Sequence, residues 1–139
     1  WPAIIQSTAT VFPPNVEFHQ EDVFQRSEAF ERQLAETGPF HVVMSDMAPQ
    51  TTGTKFTDQA RSLELCLEAL AVAETYLVKG GSFVVKIFMG PDVGELLKGM
   101  RPRFARVTSF KPQSSRMESK ETFFVGLGFK GREAESVRD

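Results

Sequence analysis

Two spacings of apolar residues alternate along this chain. Short continuous apolar runs of strand length are separated by longer stretches in which apolar positions recur every three or four residues, the signatures of buried strands and amphipathic helices. Val16 to His19 reads as a short strand, and Phe24 to Glu36 as an amphipathic helix that Gly38-Pro39 stops. Phe40-His41-Val42-Val43-Met44-Ser45-Asp46 follows, an apolar run ending in a carboxylate, which suits a buried parallel strand. Beyond the turn formers of Met47 to Thr54, the positions Leu63, Leu67, Leu70, Ala73 and Leu77 mark a helix. Lys79-Gly80-Gly81 should end it, with a cation in the last turn and glycine beyond.

Ser82 to Phe88 is a second continuous run, interrupted only by Lys86, and Val93 to Met100 reads as a short helix before Pro102. Phe104 to Phe110 and Glu121 to Phe129 have the aromatic and β-branched content of strands. The residues after Gly131 are polar and are expected to fray. Strands and helices in this alternation define an α/β fold with mostly right-handed crossovers.

That pattern has a consequence for three polar residues. Ligands of an open α/β sheet sit at the carboxyl ends of its parallel strands, which is where Asp46 falls. The last two strands are joined without a crossover helix, so they should form a hairpin, with the final strand antiparallel to the others. Its first residue, Glu121, would then share a sheet edge with Asp46 and Lys86. Lys86, inside Phe-Val-Val-Lys-Ile-Phe, must either reach the edge of the sheet or be paired, because an unpaired buried ammonium is too costly. Each residue also has a plainer reading: Asp46 as a cap, Lys86 as a snorkelling side chain, Glu121 as a solvated strand start.

Composition narrows the class. With 139 residues, the chain reads as a single domain over 1–139 with one core. Its 41% hydrophobic and 24% charged residues are ordinary for a soluble protein. No apolar run approaches the roughly 20 residues of a membrane span, and Trp1 to Ile5 lacks the basic start of a secretory signal. No membrane association is expected, and a monomer is. Cys66 is the one cysteine and sits among leucines, which favours a small core residue over a nucleophile and a reducing compartment over an oxidising one. No metal is called for. A net charge of −2 argues against nucleic-acid binding by bulk electrostatics, yet the charge is uneven. Glu17, Glu21, Asp22, Glu28, Glu31 and Glu36 crowd the first third, whereas Arg101, Arg103, Arg106, Lys111, Arg116, Lys120 and Lys130 gather late. Such a basic stretch either solvates a surface or meets phosphates.

Three blocks in order carry a resemblance. Ser45-Asp46-Met47-Ala48-Pro49, then Gly80-Gly81-Ser82-Phe83-Val84-Val85-Lys86, then Lys111-Pro112-Gln113-Ser114-Ser115-Arg116 with Ser119-Lys120-Glu121, are similar to the FtsJ-type (RrmJ-like) large-subunit ribosomal RNA methyltransferases over Val16 to Phe129. The resemblance implies a Rossmann-like methyltransferase sheet with an antiparallel last strand and S-adenosylmethionine as the methyl donor. The implied substrate is a uridine 2′-hydroxyl in large-subunit ribosomal RNA, free or in the subunit, in the cytoplasm or a mitochondrion. Of the family's lysine-aspartate-lysine-glutamate set, Asp46, Lys86 and Glu121 match the last three members. Asp22, in Gln20-Glu21-Asp22-Val23-Phe24, resembles the family's adenine-contacting acid, and by the same resemblance Asp46 would border the cofactor as well. Lys111, Ser114, Ser115 and Arg116 would hold RNA. No counterpart of the family's glycine-rich cofactor loop or first lysine occurs here, so the N-terminal part of the fold is expected to be missing. An inactive RNA-binding or ribosome-assembly module, and a methyltransferase for transfer RNA or messenger cap riboses, remain the alternatives.

Overall fold

The computed structural model describes residues 11–47, 52–90, 93–111 and 121–132. Its elements are α1 (Glu28–Thr37), β1 (Phe40–Ser45), α2 (Lys55–Tyr76), β2 (Leu77–Phe88), α3 (Val93–Met100), β3 (Phe104–Phe110) and β4 (Glu121–Phe129). The strands form one sheet in the order β1-β2-β4-β3, with β1 parallel to β2 and β4 antiparallel to both β2 and β3. This is the expected α/β sheet with a reversed last strand, inserted between two strands that precede it in the chain.

Alternation along the central strands sets the layers. Phe83, Val85 and Ile87 of β2 are at most 1% exposed and join Phe124 and Phe129 of β4 in a core closed by Leu70 of α2 and Leu96 and Met100 of α3. Val84, Lys86 and Phe88 turn to the other, half-buried face. Burying each large core side chain contributes about 1.5–3 kcal/mol, so the helix-covered face holds the domain together.

Several elements depart from the pattern read along the chain. Val16 to His19 is not a strand: no described strand lies beside it to complete a ladder, and the Val16 N–H bonds locally to the Pro13 carbonyl. Helix α1 begins at Glu28 rather than Phe24 because Asp22 builds its own turn, accepting from the Phe24 N–H at 2.9 Å. Ser27 then caps the helix, its hydroxyl accepting from the Phe30 N–H at 3.1 Å. Strand β1 is parallel as expected but forms the edge of the described sheet, with Val42 and Met44 51% and 71% exposed. The buried stripe of α2 runs through Ser62, Leu65, Cys66, Ala69, Leu70 and Ala73, so Leu67 lies outside it. Small residues face the sheet and let the helix approach closely.

Lys79-Gly80-Gly81 does not end α2. The helix stops at Tyr76 and β2 begins immediately, with the Leu77 N–H bonded to the Ala73 carbonyl. The cation at this helix end comes instead from beyond β4: the Arg132 guanidinium donates to the Glu74 and Leu77 carbonyls and lies over the Phe129 ring. At the other end of α2, Asp58 accepts from both the N–H and the hydroxyl of Thr52 at 2.8 Å. The Thr52 backbone N–H, ahead of the hydroxyl, holds the Asp58 carboxyl below its ordinary 3.8. A depressed acid stabilises the fold above its unfolded pKa and ceases to do so as pH falls through the folded value. Wild type should therefore lose more stability than Asp58→Asn when urea denaturation is compared at pH 6 and pH 3; equal losses would assign the acid sensitivity elsewhere.

Candidate active site

The register of the sheet brings three charged residues to one edge. Lys86 pairs with Phe123 and Phe88 with Glu121 across β2 and β4, so Lys86 and Glu121 are diagonal neighbours on the same face. On the opposite flank, Ser45 pairs with Val85, and Asp46 leaves β1 beside Lys86. The Lys86 Nζ lies 2.5 Å from Asp46 Oδ1 and 3.6 Å from Glu121 Oε1. The lysine side chain is 17% exposed, Glu121 39% and Asp46 73%, so the cation is recessed between two acids of which one faces water. This is the juxtaposition expected from a reversed final strand. Only the reversal allows the start of one strand to meet the end of another.

The electrostatic consequence is unambiguous in sign. The hydrogen bond that Lys86 donates to Asp46 pulls the Lys86 pKa above its ordinary 10.5, with Glu121 reinforcing it and burial working against it. Lys86 is an ammonium at neutral pH. Lys111, directly after β3, donates from Nζ to the Glu121 carbonyl at 3.0 Å, and the Thr122 hydroxyl donates to the Phe110 carbonyl at 3.1 Å. These bonds fix the start of β4 and with it Glu121. Ser114, Ser115 and Arg116 lie outside the described residues.

Asp22 lies in an irregular segment, half-buried, with Oδ1 occupied by the Phe24 N–H. The same segment is tied to the domain by Arg26, whose guanidinium bonds Glu31 at 2.9 Å and Glu68 of α2 at 3.0 Å. Reading the chain by apolar periodicity missed a second group beside Lys86, the polar side chains Gln59, Ser62 and Cys66 of α2. Their spacing of three and four residues was a visible signal, but their partners are backbone atoms that no pattern of side chains reveals.

A mixed α/β sheet that encloses a lysine between two carboxylates at the carboxyl edge of its parallel strands places the chain in the methyltransferase class suggested by its three sequence blocks. The chain belongs to the FtsJ-like methyltransferase family, which it matches over residues 5–129. It is 72% identical over 127 residues to ribosomal RNA large subunit methyltransferase E of Nitratidesulfovibrio vulgaris (strain DSM 19637 / Miyazaki F), covering 91% of this chain and 63% of that protein. The enzyme of the same name from Lawsonia intracellularis is 65% identical over 126 residues, with 91% of this chain and 63% of that one covered. The chain thus spans under two thirds of the length of these relatives. Its fold is similar to the crystal structure of a protein assigned as a ribosomal RNA methyltransferase from Plasmodium falciparum, with a TM-score of 0.73 at 26% identity, covering 88% of this chain and 68% of that one. Among the described residues, no helix is long and apolar enough to cross a membrane.

Proposed function

We propose that this chain carries the catalytic part of an S-adenosylmethionine-dependent ribose 2′-O-methyltransferase whose substrate is a uridine of large-subunit ribosomal RNA. The observation that carries the reading is the recessed Lys86 ammonium held between Asp46 and Glu121. Methylation of a hydroxyl requires alignment of the acceptor oxygen and management of one proton. Lys86 is already protonated, so its contribution is to donate a hydrogen bond to the acceptor oxygen and stabilise negative charge as the O–H bond weakens. Glu121 and Asp46 hold the ammonium in place, and the released proton leaves on the water-exposed side, past Asp46.

Two acids fit parts of the methyl donor. Asp22 has one oxygen fixed by a backbone N–H, which sets its carboxylate to accept from an amino group such as that of adenine. Asp46 offers a negative charge suited to a cationic donor. When bound, S-adenosylmethionine supplies the electrophilic methyl carbon.

Lys111 and Arg116 are assigned to RNA phosphates and Ser114 and Ser115 to hydrogen bonds with the same backbone, contacts that position the substrate without reading its bases. Ribosomal RNA or the large subunit is the partner, and a monomer acting in the cytoplasm or a mitochondrion is sufficient for the chemistry. Product mapping tests the reading: ribosomal RNA treated with the protein and S-adenosylmethionine should gain a methyl group on a uridine 2′-oxygen, lost in Asp46→Ala. Methylation of a base instead would overturn it. In the same preparations, Lys111→Ala and Arg116→Ala should each reduce the slope of log K against log salt by about 0.7–0.9. Unchanged slopes would remove the phosphate assignment.

A further inference from the structure

Strand β1 ends before β2 does. Its last pair is Ser45 with Val85, whereas β2 continues to Phe88 and stays paired with β4 as far as Glu121. From Lys86 onward, the flank of β2 that faces β1 therefore has no paired strand beside it among the described residues. Lys86 and Phe88, two residues apart, send their backbone groups to the same flank, and buried backbone groups must find partners.

Helix α2 supplies them. The Cys66 thiol donates to the Lys86 carbonyl at 3.1 Å, the Ser62 hydroxyl accepts from the Phe88 N–H at 3.0 Å, and the Gln59 amide donates to the Met89 carbonyl at 2.8 Å. Residues 59, 62 and 66 share one helix face, so the three bonds follow the chain in order, from Lys86 through Phe88 to Met89 just beyond the strand. Ser62 and Cys66 are each 1% exposed in the centre of the buried stripe. Burying a hydroxyl is unfavourable unless it is bonded. Burial pushes the Cys66 thiol up to about 12, so it remains a donor across the physiological range. Gly90 leaves room for the Gln59 amide, since a Cβ there would stand 2.5 Å from the amide carbon.

We propose that Gln59, Ser62 and Cys66 are positioning residues, a stripe of side chains that substitutes for a strand along the end of β2 and fixes where Lys86 meets Asp46 and Glu121. The role rests on the reading of Lys86 as part of the catalytic set. Asp46 from the end of β1 and Glu121 from the start of β4 are the acids that face the ammonium, and Lys111 donates to the Glu121 backbone carbonyl. Moving the Lys86 backbone changes its distance to both acids together.

The test reads Lys86 directly. In the full chain, the titration of the Lys86 side chain followed by NMR should shift downward toward 10.5 in Ser62→Ala/Cys66→Ala, as its pairing with Asp46 loosens. Ser62→Thr, which keeps the hydroxyl, should retain the wild-type titration. The methyl-transfer rate should follow the same order, with kcat about 10–100-fold lower in the double variant and KM little changed. An unmoved Lys86 titration in the folded variants would overturn the positioning role. A moved titration with undiminished kcat would overturn the catalytic reading of Lys86 instead. Should the double variant fail to fold, Gln59→Ala, at a half-buried position, gives the same two readouts.

Discussion

Lys86→Met is expected to lower kcat for methyl transfer by about 10²–10⁴-fold, the largest effect of any single substitution on activity. Methionine preserves most of the side-chain volume but removes the ammonium that separates Asp46 from Glu121. Two carboxylates then face each other across the site without a cation, and the acceptor oxygen loses its hydrogen-bond donor. Lys86→Arg separates charge from proton transfer. An arginine stays charged at every accessible pH, so a role confined to stabilising the oxygen survives in it in part, whereas a base role does not. The pH dependence carries the same distinction. Because Asp46 raises the Lys86 pKa, the ion pair stabilises the fold fully below the unfolded value of 10.5 and ceases to do so as pH rises through the folded value. A rate that is level through neutrality and falls on that alkaline limb fits the ammonium. A rate that climbs toward the Lys86 pKa in wild type and vanishes in Lys86→Arg would assign Lys86 as the base.

The positions of Asp46, Lys86 and Glu121 were legible because each rests on a one-dimensional rule. A carboxylate at the end of an apolar run, a lysine within one, and an acid opening a hairpin strand need only strand direction to bring them together. The ends of α1 and α2 were not legible, because the deciding interactions are non-periodic. Asp22 turns the chain before α1 can start, and the α2 terminus is capped by Arg132, 55 residues beyond Leu77. Val16 to His19 has the composition of a strand, but a strand exists only where a neighbour completes its ladder. Composition also says nothing of where a helix places its polar face. Ser62 and Cys66 look like minor members of a leucine-rich stripe until the shortness of β1 gives them backbone partners.

The largest expected effect on stability lies at the opposite end of the β3–β4 hairpin. Phe104, 2% exposed, has its ring centroid 6.1 Å from Phe83 and 5.5 Å from Phe129, and its Cγ would stand 2.7 Å from a Cβ on Gly126. The glycine thus provides a seat for the ring. Phe104→Ala should cost about 3–5 kcal/mol through lost burial and the cavity left behind, and Gly126→Ala about 1–3 kcal/mol through overpacking. Both should be measurable by urea denaturation, and they should not be additive. In a Phe104→Leu background, where no ring occupies the seat, the penalty for Gly126→Ala should shrink; an equal penalty in both backgrounds would show that the glycine serves the strand backbone alone. The site should respond differently. Phe104 pairs with Phe129, while the end of the hairpin that carries Glu121 is held by Thr122 to Phe110 and by Lys111 to Glu121. Phe104→Ala should therefore leave the titration of Lys86 in place at temperatures where the protein is folded, because the ring anchors the scaffold and the two hydrogen bonds anchor the acid.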